Sequence, residues 1–199
     1  MAIDISKENI VLEDDRVLMR TIEKSDYDNL VSFAINEPDI WKYSLVNPAG
    51  AENIKKYIDD AIKNRAQGKE YTFIVFDKQF NEYAGSTRFY DIQVLHEKTL
   101  LGYTWYGKKF QRTGLNRHCK FLLLQFAFEQ WGLERVEFRA NIHNDQSIAA
   151  MKAIGCIQEG VFRNYMVDTT GRRWSTVILS ILKEEWFATT KTLLKSKIK

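Results

Sequence analysis

An apolar run, Leu100-Leu101-Gly102-Tyr103-Thr104-Trp105, leads through a short glycine-containing loop into a long helical pattern, Asn116–Trp131. Leu122, Leu123, Phe126 and Ala127 recur there at helical spacing, and Gly132 marks the end. A second strand pattern follows, Arg135–Ala140, with Val136 and Phe138 facing one way and Glu137 and Arg139 the other. A helix between two strands reads as a parallel crossover, which restricts the chain to folds that pack helices on a sheet. The loop itself, Gln111-Arg112-Thr113-Gly114-Leu115-Asn116, adds a chemical constraint. The first N–H groups of a helix lack partners and its dipole is positive there, so the loop is a candidate anion site, with Arg112 adding charge. A glycine before a helix is more often a plain turn, so alone this signal raises a phosphate-bearing cofactor only as a first hypothesis.

The rest of the chain supplies further strands and helices. Arg16–Arg20 alternates polar and apolar residues and reads as the first strand. Ser25 is the expected cap of a helix whose stripe is Tyr27, Leu30, Val31 and Ala34. Asn36 to Pro48 is irregular and holds Trp41 and Tyr43. A second helix fits Ala51–Arg65, with Ile54, Ile58, Ala61 and Ile62 on one face and Gln67-Gly68 at its end. Tyr71–Phe76 and Tyr83–Asp91 form a hairpin around Asp77–Asn81, with Gly85 inside the second strand. Leu100–Tyr106 is then the fourth strand and Arg135–Ala140 the fifth. Asp145–Ile154 is a short helix ending at Gly155. Cys156–Val167 and Trp174–Leu182 close the chain as a hairpin through Asp168-Thr169-Thr170-Gly171.

Composition excludes several classes. The chain has 199 residues, 45% hydrophobic and 28% charged, and no Ser/Gly/Pro-rich linker divides it, which fits one soluble domain over residues 1–199. A formal charge of +3 is too small to argue for nucleic acid as a partner. Lys191, Lys195, Lys197 and Lys199 form a basic tail that reads as a solvated end. Met1–Asp15 carries Asp4, Glu8, Glu13, Asp14 and Asp15, which is unlike a signal peptide, and the sequence has no apolar run of about 18 residues to serve as a membrane span. Cys119 and Cys156 read as free thiols of a cytoplasmic protein. His96, His118 and His143 lack metal spacing. His143, Asp145 and Ser147 crowd into one stretch without the strand–elbow–helix setting of a hydrolase.

Three blocks, in this order and at these separations, resemble the GNAT superfamily of acyl-CoA N-acyltransferases, and most closely its RimJ/RimL branch. Gln111-Arg112-Thr113-Gly114-Leu115-Asn116 is similar to the family's Gln/Arg-x-x-Gly-x-Gly/Ala loop, with Asn116 in place of the last small residue. Asn144-Asp145-Gln146-Ser147, then Lys152-Ala153-Ile154-Gly155-Cys156 and Glu159-Gly160, resemble its Asn-x-x-Ser…Lys-x-Gly-Phe-x-x-Glu-Gly block, with Cys156 where Phe is usual. Val177–Trp186 is similar to its last strand and Glu-Trp finish. The resemblance covers about Val17 to Trp186. It implies a mixed α/β fold: a central, mostly antiparallel sheet of about seven strands, helices on both faces, and a splay after strand four.

The resemblance also implies acetyl-CoA as co-substrate and an amine as acceptor, either a protein N-terminus or a small molecule such as a polyamine or an aminoglycoside. The loop residues Gln111, Arg112, Thr113, Gly114, Leu115 and Asn116 would cradle the pyrophosphate. Tyr103, Thr104 and Trp105 of the splayed strand would pair with the pantetheine amides as a missing strand would, and Gly102 fits a bulge or close approach there. Asn144 would bond the pantetheine, and Ser147 would sit near the sulfur as the candidate acid; the plain alternative is that Asp145 or Asn144 merely caps the helix, and both roles can coexist. Leu100–Trp105 holds no acid and Asp145–Ile154 no tyrosine, so the family's Glu base and Tyr acid have no counterpart. Asp91 or Glu97, acting through water, are the remaining base candidates. Trp41, Tyr43, Tyr90 and Tyr165 are candidates for an acceptor cleft, or for ordinary packing. A non-catalytic acyl-CoA-binding module and an interaction protein that keeps only the fold stay open as alternatives. Oligomeric state is open, with a homodimer allowed.

Overall fold

Strand alternation decides which helices each strand can bury. In Glu70–Asp77 the side chains of Phe73 and Val75 join one apolar cluster, while Ile74 between them joins a second on the opposite face. This computed structural model describes residues 4–167 and 171–198. Its strands are β1 (Val11–Glu13), β2 (Val17–Thr21), β3 (Glu70–Asp77), β4 (Glu82–Gln93), β5 (Lys98–Tyr106), β6 (Arg135–Asn141), β7 (Ile157–Val167) and β8 (Arg173–Leu182). They form one sheet in the order β1-β2-β3-β4-β5-β6-β8-β7. The β5–β6 pair is parallel and its neighbours are antiparallel, as the helix between them requires.

Helices α1 (Tyr27–Asn36) and α2 (Ala51–Ala66) cover one face through Leu30, Ala34, Ile54, Tyr57, Ile58 and Ala61, packed with Ile74 and Trp105. Helix α3 (Leu115–Gln125) covers the other through Leu115, Cys119, Leu123 and Leu124, packed with Phe73, Phe89 and Leu101. It runs on into a π-helical turn, Phe126–Gln130. Helix α4 is Asp145–Ala153.

Three expectations need correction. The sheet has an eighth strand: β1 is only three residues long, with Leu12 alone buried, too brief to leave a periodic signal. The residue organising the start of α1 is Asp26 rather than Ser25. Fully buried Asp26 accepts from the Glu23 N–H at 2.8 Å and pairs with Arg20 at 2.7 Å. The basic tail is packed instead of solvated. Three helical turns, Lys183–Glu185, Trp186–Thr190 and Lys191–Lys195, succeed one another, with Trp186 and Leu194 fully buried and Lys191 paired to Glu129 at 2.9 Å. Of the predicted final hairpin turn, Asp168, Thr169 and Thr170 lie outside the described residues.

Candidate active site

The site begins where β5 and β6 part. They pair at Lys98–Arg135, Thr99–Val136 and Leu100–Glu137 and no further. Beyond Leu100, β5 stays bonded to β4 as far as Tyr106, while β6 turns its bonding to β8 along its whole length. The β6-facing side of Gly102–Tyr106 therefore has no neighbouring strand, the opening an extended amide-bearing ligand would need.

Local backbone geometry widens this opening. Arg88 pairs with Gly102 but Ser86 with Trp105, so β5 carries one extra residue, a β-bulge, and Tyr103 takes a left-handed φ of 48° within it. Gly102 stands beside the bulge, not at its positive φ; the Tyr90 ring lies 3.1 Å from where a Cβ would be. Opposite, Gly85 (φ 155°) brings β4 so close to the Trp105 carbonyl that no side chain fits.

The Gln111–Asn116 loop sits at the far end of β5. Arg112 (φ 62°) and Gly114 (φ 93°) both adopt left-handed backbone just before α3, a concave turn of the kind that gathers N–H groups. A Cβ on Gly114 would meet nothing within 4 Å, so space is open there and the constraint is conformational. Arg112 is exposed and Leu115 buried. Three loop side chains face inward. Gln111 Nε2 donates to the Tyr106 carbonyl at 2.9 Å, Thr113 Oγ1 to the Phe110 carbonyl at 2.8 Å, and Tyr106 Oη to Asn116 Oδ1 at 3.2 Å. Gln111, Thr113 and Asn116 thus hold the loop's shape, and its backbone is left to meet a ligand.

On the α3 face of the opening, Thr104 Oγ1 hydrogen-bonds Thr87 Oγ1 at 2.8 Å and accepts from Lys120 Nζ at 2.9 Å. Sequence reading missed Lys120. On a helix it looks like any solvated lysine, yet it is 5% exposed, and burial lowers its ammonium to about 8.

On the α1/α2 face stands an aromatic and charged wall. Arg88 is buried, pairs with Glu70 at 2.7 Å, and lies over the rings of Tyr57 (4.7 Å) and Tyr103 (4.5 Å). Burial opposes its charge, but Tyr57 and Glu70 more than offset it. Tyr90 packs edge-on to Tyr103 at 4.8 Å, and burial raises both phenols. Glu137 is held by Arg139 at 2.7 Å and Arg135 at 3.1 Å, and Arg139 reaches Tyr165 of β7 at 3.0 Å. Trp41 is core, edge-on to Trp105 at 5.0 Å, whereas Tyr43 is exposed.

The Asn144 side chain accepts from the Ser147 N–H at 3.1 Å and caps α4. Among the described residues the Ser147 hydroxyl has no partner, and the residue is half-buried. The suggested bases are poorly placed. Asp91, at an irregularity near the end of β4, and Glu97, on the turn joining β4 and β5, are both exposed at the closed end of the opening, where the Glu97 carbonyl accepts from Glu134 N–H.

Comparison with known proteins identifies the family. Residues 16–157 match the family described as "Acetyltransferase (GNAT) domain", and the chain belongs to that family, whose members use acetyl-CoA. It is an N-acetyltransferase. A relative from Bacillus subtilis (strain 168), named "Putative ribosomal N-acetyltransferase YdaF", is 26% identical over 178 residues, 86% of this chain and 94% of that one. The crystal structure of a GCN5-related N-acetyltransferase from Brucella melitensis superposes with a TM-score of 0.87 at 24% identity, covering 96% of this chain and 86% of that one. The Microcin C7 self immunity acetyltransferase MccE, solved with acetyl-CoA and AMP, has a TM-score of 0.76 at 18% identity, over 85% of this chain and 93% of that one. These structural likenesses bear on the fold. Among the described residues no helix is long and apolar enough to cross a membrane.

Proposed function

We propose that this N-acetyltransferase takes its acetyl group from acetyl-CoA bound between β5 and β6, and passes it directly to a primary amine approaching from the α1/α2 face. The observation that carries the reading is the unpaired side of β5 beyond Leu100, which ends at the left-handed Arg112–Gly114 loop and the α3 N-terminus. Strand-like amides of a pantetheine arm suit the first, and a pyrophosphate suits the second. When bound, the thioester supplies an activated acetyl group. The chain's own part is to hold it against the bulge, keep water out with Trp105 and Tyr103, and manage protons. An attacking amine must be neutral, and an α-amino group, with an ordinary pKa of about 8, sheds its proton far more readily than a lysine at about 10.4. The wall's carboxylates, Glu70 and Glu137, are both clamped by arginine, which suits a route through water rather than a lone carboxylate base.

A protein N-terminus is the favoured acceptor. It rests on the resemblance to the RimJ/RimL branch and on the word "ribosomal" in the name of the Bacillus subtilis relative. The test is release of CoA from acetyl-CoA across N-terminal peptides, polyamines and aminoglycosides. Turnover is expected with peptides. Turnover confined to polyamines or aminoglycosides would replace the acceptor, and acetyl-CoA binding without release from any amine would favour a non-catalytic acyl-CoA-binding module.

A further inference from the structure

Lys120 is a buried amine at a ligand opening with almost nothing to bind. Its Nζ donates to Thr104 Oγ1 on β5 at 2.9 Å and stands 5.9 Å from the ring centroid of Phe138 on β6. Those strands last pair at Leu100 and Glu137, so the amine spans them beyond their final hydrogen bonds. Thr104 follows directly on Tyr103, the residue at positive φ in the bulge. Among the described residues Thr104 Oγ1 is the one acceptor for three donors, and no carboxylate pairs with the ammonium. The titratable groups facing it are two thiols, Cys119 on α3 and Cys156 after α4, each pushed up to about 12 by burial and so uncharged. Buried cations normally find an anion, because desolvation is otherwise uncompensated. Here the amine lies between Thr104 of β5 and Phe138 of β6, beneath the point where those strands have parted.

We propose that Lys120 is the proton donor to the thiolate that departs when the acetyl group is transferred. The proposal rests on the reading of acetyl-CoA in the β5–β6 opening. In the step the amine nitrogen forms a bond to the acetyl carbon, and the carbon–sulfur bond breaks with its electron pair going to sulfur. A proton passes from Lys120 Nζ to that sulfur, and the surplus proton of the new amide nitrogen leaves to water. Lys120 then recovers its proton from solvent when the free thiol has departed. An ammonium lowered to about 8 lies close to an ordinary thiol at about 8.5, so neither direction of transfer meets a large barrier from mismatch. The Thr104–Thr87 pair fixes the direction of Nζ from beneath.

The probes are CoA and desulfo-CoA, identical except for the sulfur, titrated calorimetrically into the wild-type chain, Lys120→Met and Lys120→Arg. The wild type is expected to bind CoA about tenfold more tightly than desulfo-CoA, through a charge-assisted contact to sulfur. Lys120→Met should bind both at the desulfo-CoA level. Lys120→Arg should keep the preference for sulfur yet lose turnover by roughly 100-fold, because a guanidinium does not give up its proton. An unchanged preference in Lys120→Met, or an equal loss of both ligands, would overturn the proposal and leave the cofactor site standing. Should the Met variant fail to fold, wild-type turnover in Lys120→Arg overturns it independently. If the wild type binds neither probe, the cofactor reading falls, and this proposal with it.

Discussion

Arg88 and Lys120 are cations buried on opposite faces of the β4–β5 pair, and they are solvated in opposite ways. Arg88 has Glu70 at 2.7 Å and two tyrosine rings within 5 Å, so it remains a firm cation although desolvation works against it. Lys120 has one hydroxyl and two neutral thiols, so burial wins and its ammonium falls to about 8. A buried charge paired to a carboxylate braces a wall; one that has no anion beside it keeps capacity for a ligand. In the proposed function the difference divides the site's labour: the α1/α2 face receives the acceptor, and the α3 face holds the mobile proton.

The largest expected effect is on the rigid side. Arg88→Ala should destabilise the fold by about 3–5 kcal/mol in urea titrations, since it strips Glu70 of its cation, leaving only Asn64 to bond the carboxylate, and opens a cavity between Tyr57 and Tyr103. A loss below about 1 kcal/mol would mean the pair is screened like a surface one. Next comes the pH dependence from Lys120. Its folded value, about 8, lies below the 10.5 of an exposed lysine. The unfolded chain therefore binds more protons between those values, and stability should rise with pH through that window by about 3 kcal/mol. Lys120→Met should lose this rise; an identical slope in both proteins would show that the amine is not buried in solution.

Gly114→Val tests the loop between the faces. The left-handed φ of 93° disfavours a β-branched residue although space is open, so acetyl-CoA affinity should fall about tenfold or more as the turn relaxes, with far-ultraviolet circular dichroism unchanged. Unchanged affinity would remove the pyrophosphate assignment. The smallest effect is expected of Asn144→Ala, about 1 kcal/mol of stability from the lost cap. A much larger loss in cofactor affinity than in stability would make Asn144 a ligand-binding residue as well.

Much of this architecture is written in local patterns. The strand–loop–helix unit around Gly114, the crossover to Arg135 and the β3–β4 hairpin are short-range signals, and they survive into the structure. The splay was expected only through family resemblance, since where two strands stop pairing depends on partners far apart in sequence. The packed tail was missed for the same reason: Leu194 and Lys191 acquire their meaning from α3 and Glu129, which the sequence keeps distant. The site's charges were the least legible. Lys120 and Arg88 look like surface residues in a list of letters, and only the fold reveals that one is paired and the other is not.

The central claim, that acetyl-CoA takes the place of a strand beside β5, is tested most directly by amide hydrogen exchange with and without acetyl-CoA. Slowed exchange is expected along Gly102–Tyr106 and across Arg112–Arg117, with the outer strand β7 unaffected. Binding that leaves both segments exchanging at their free rates would contradict the placement.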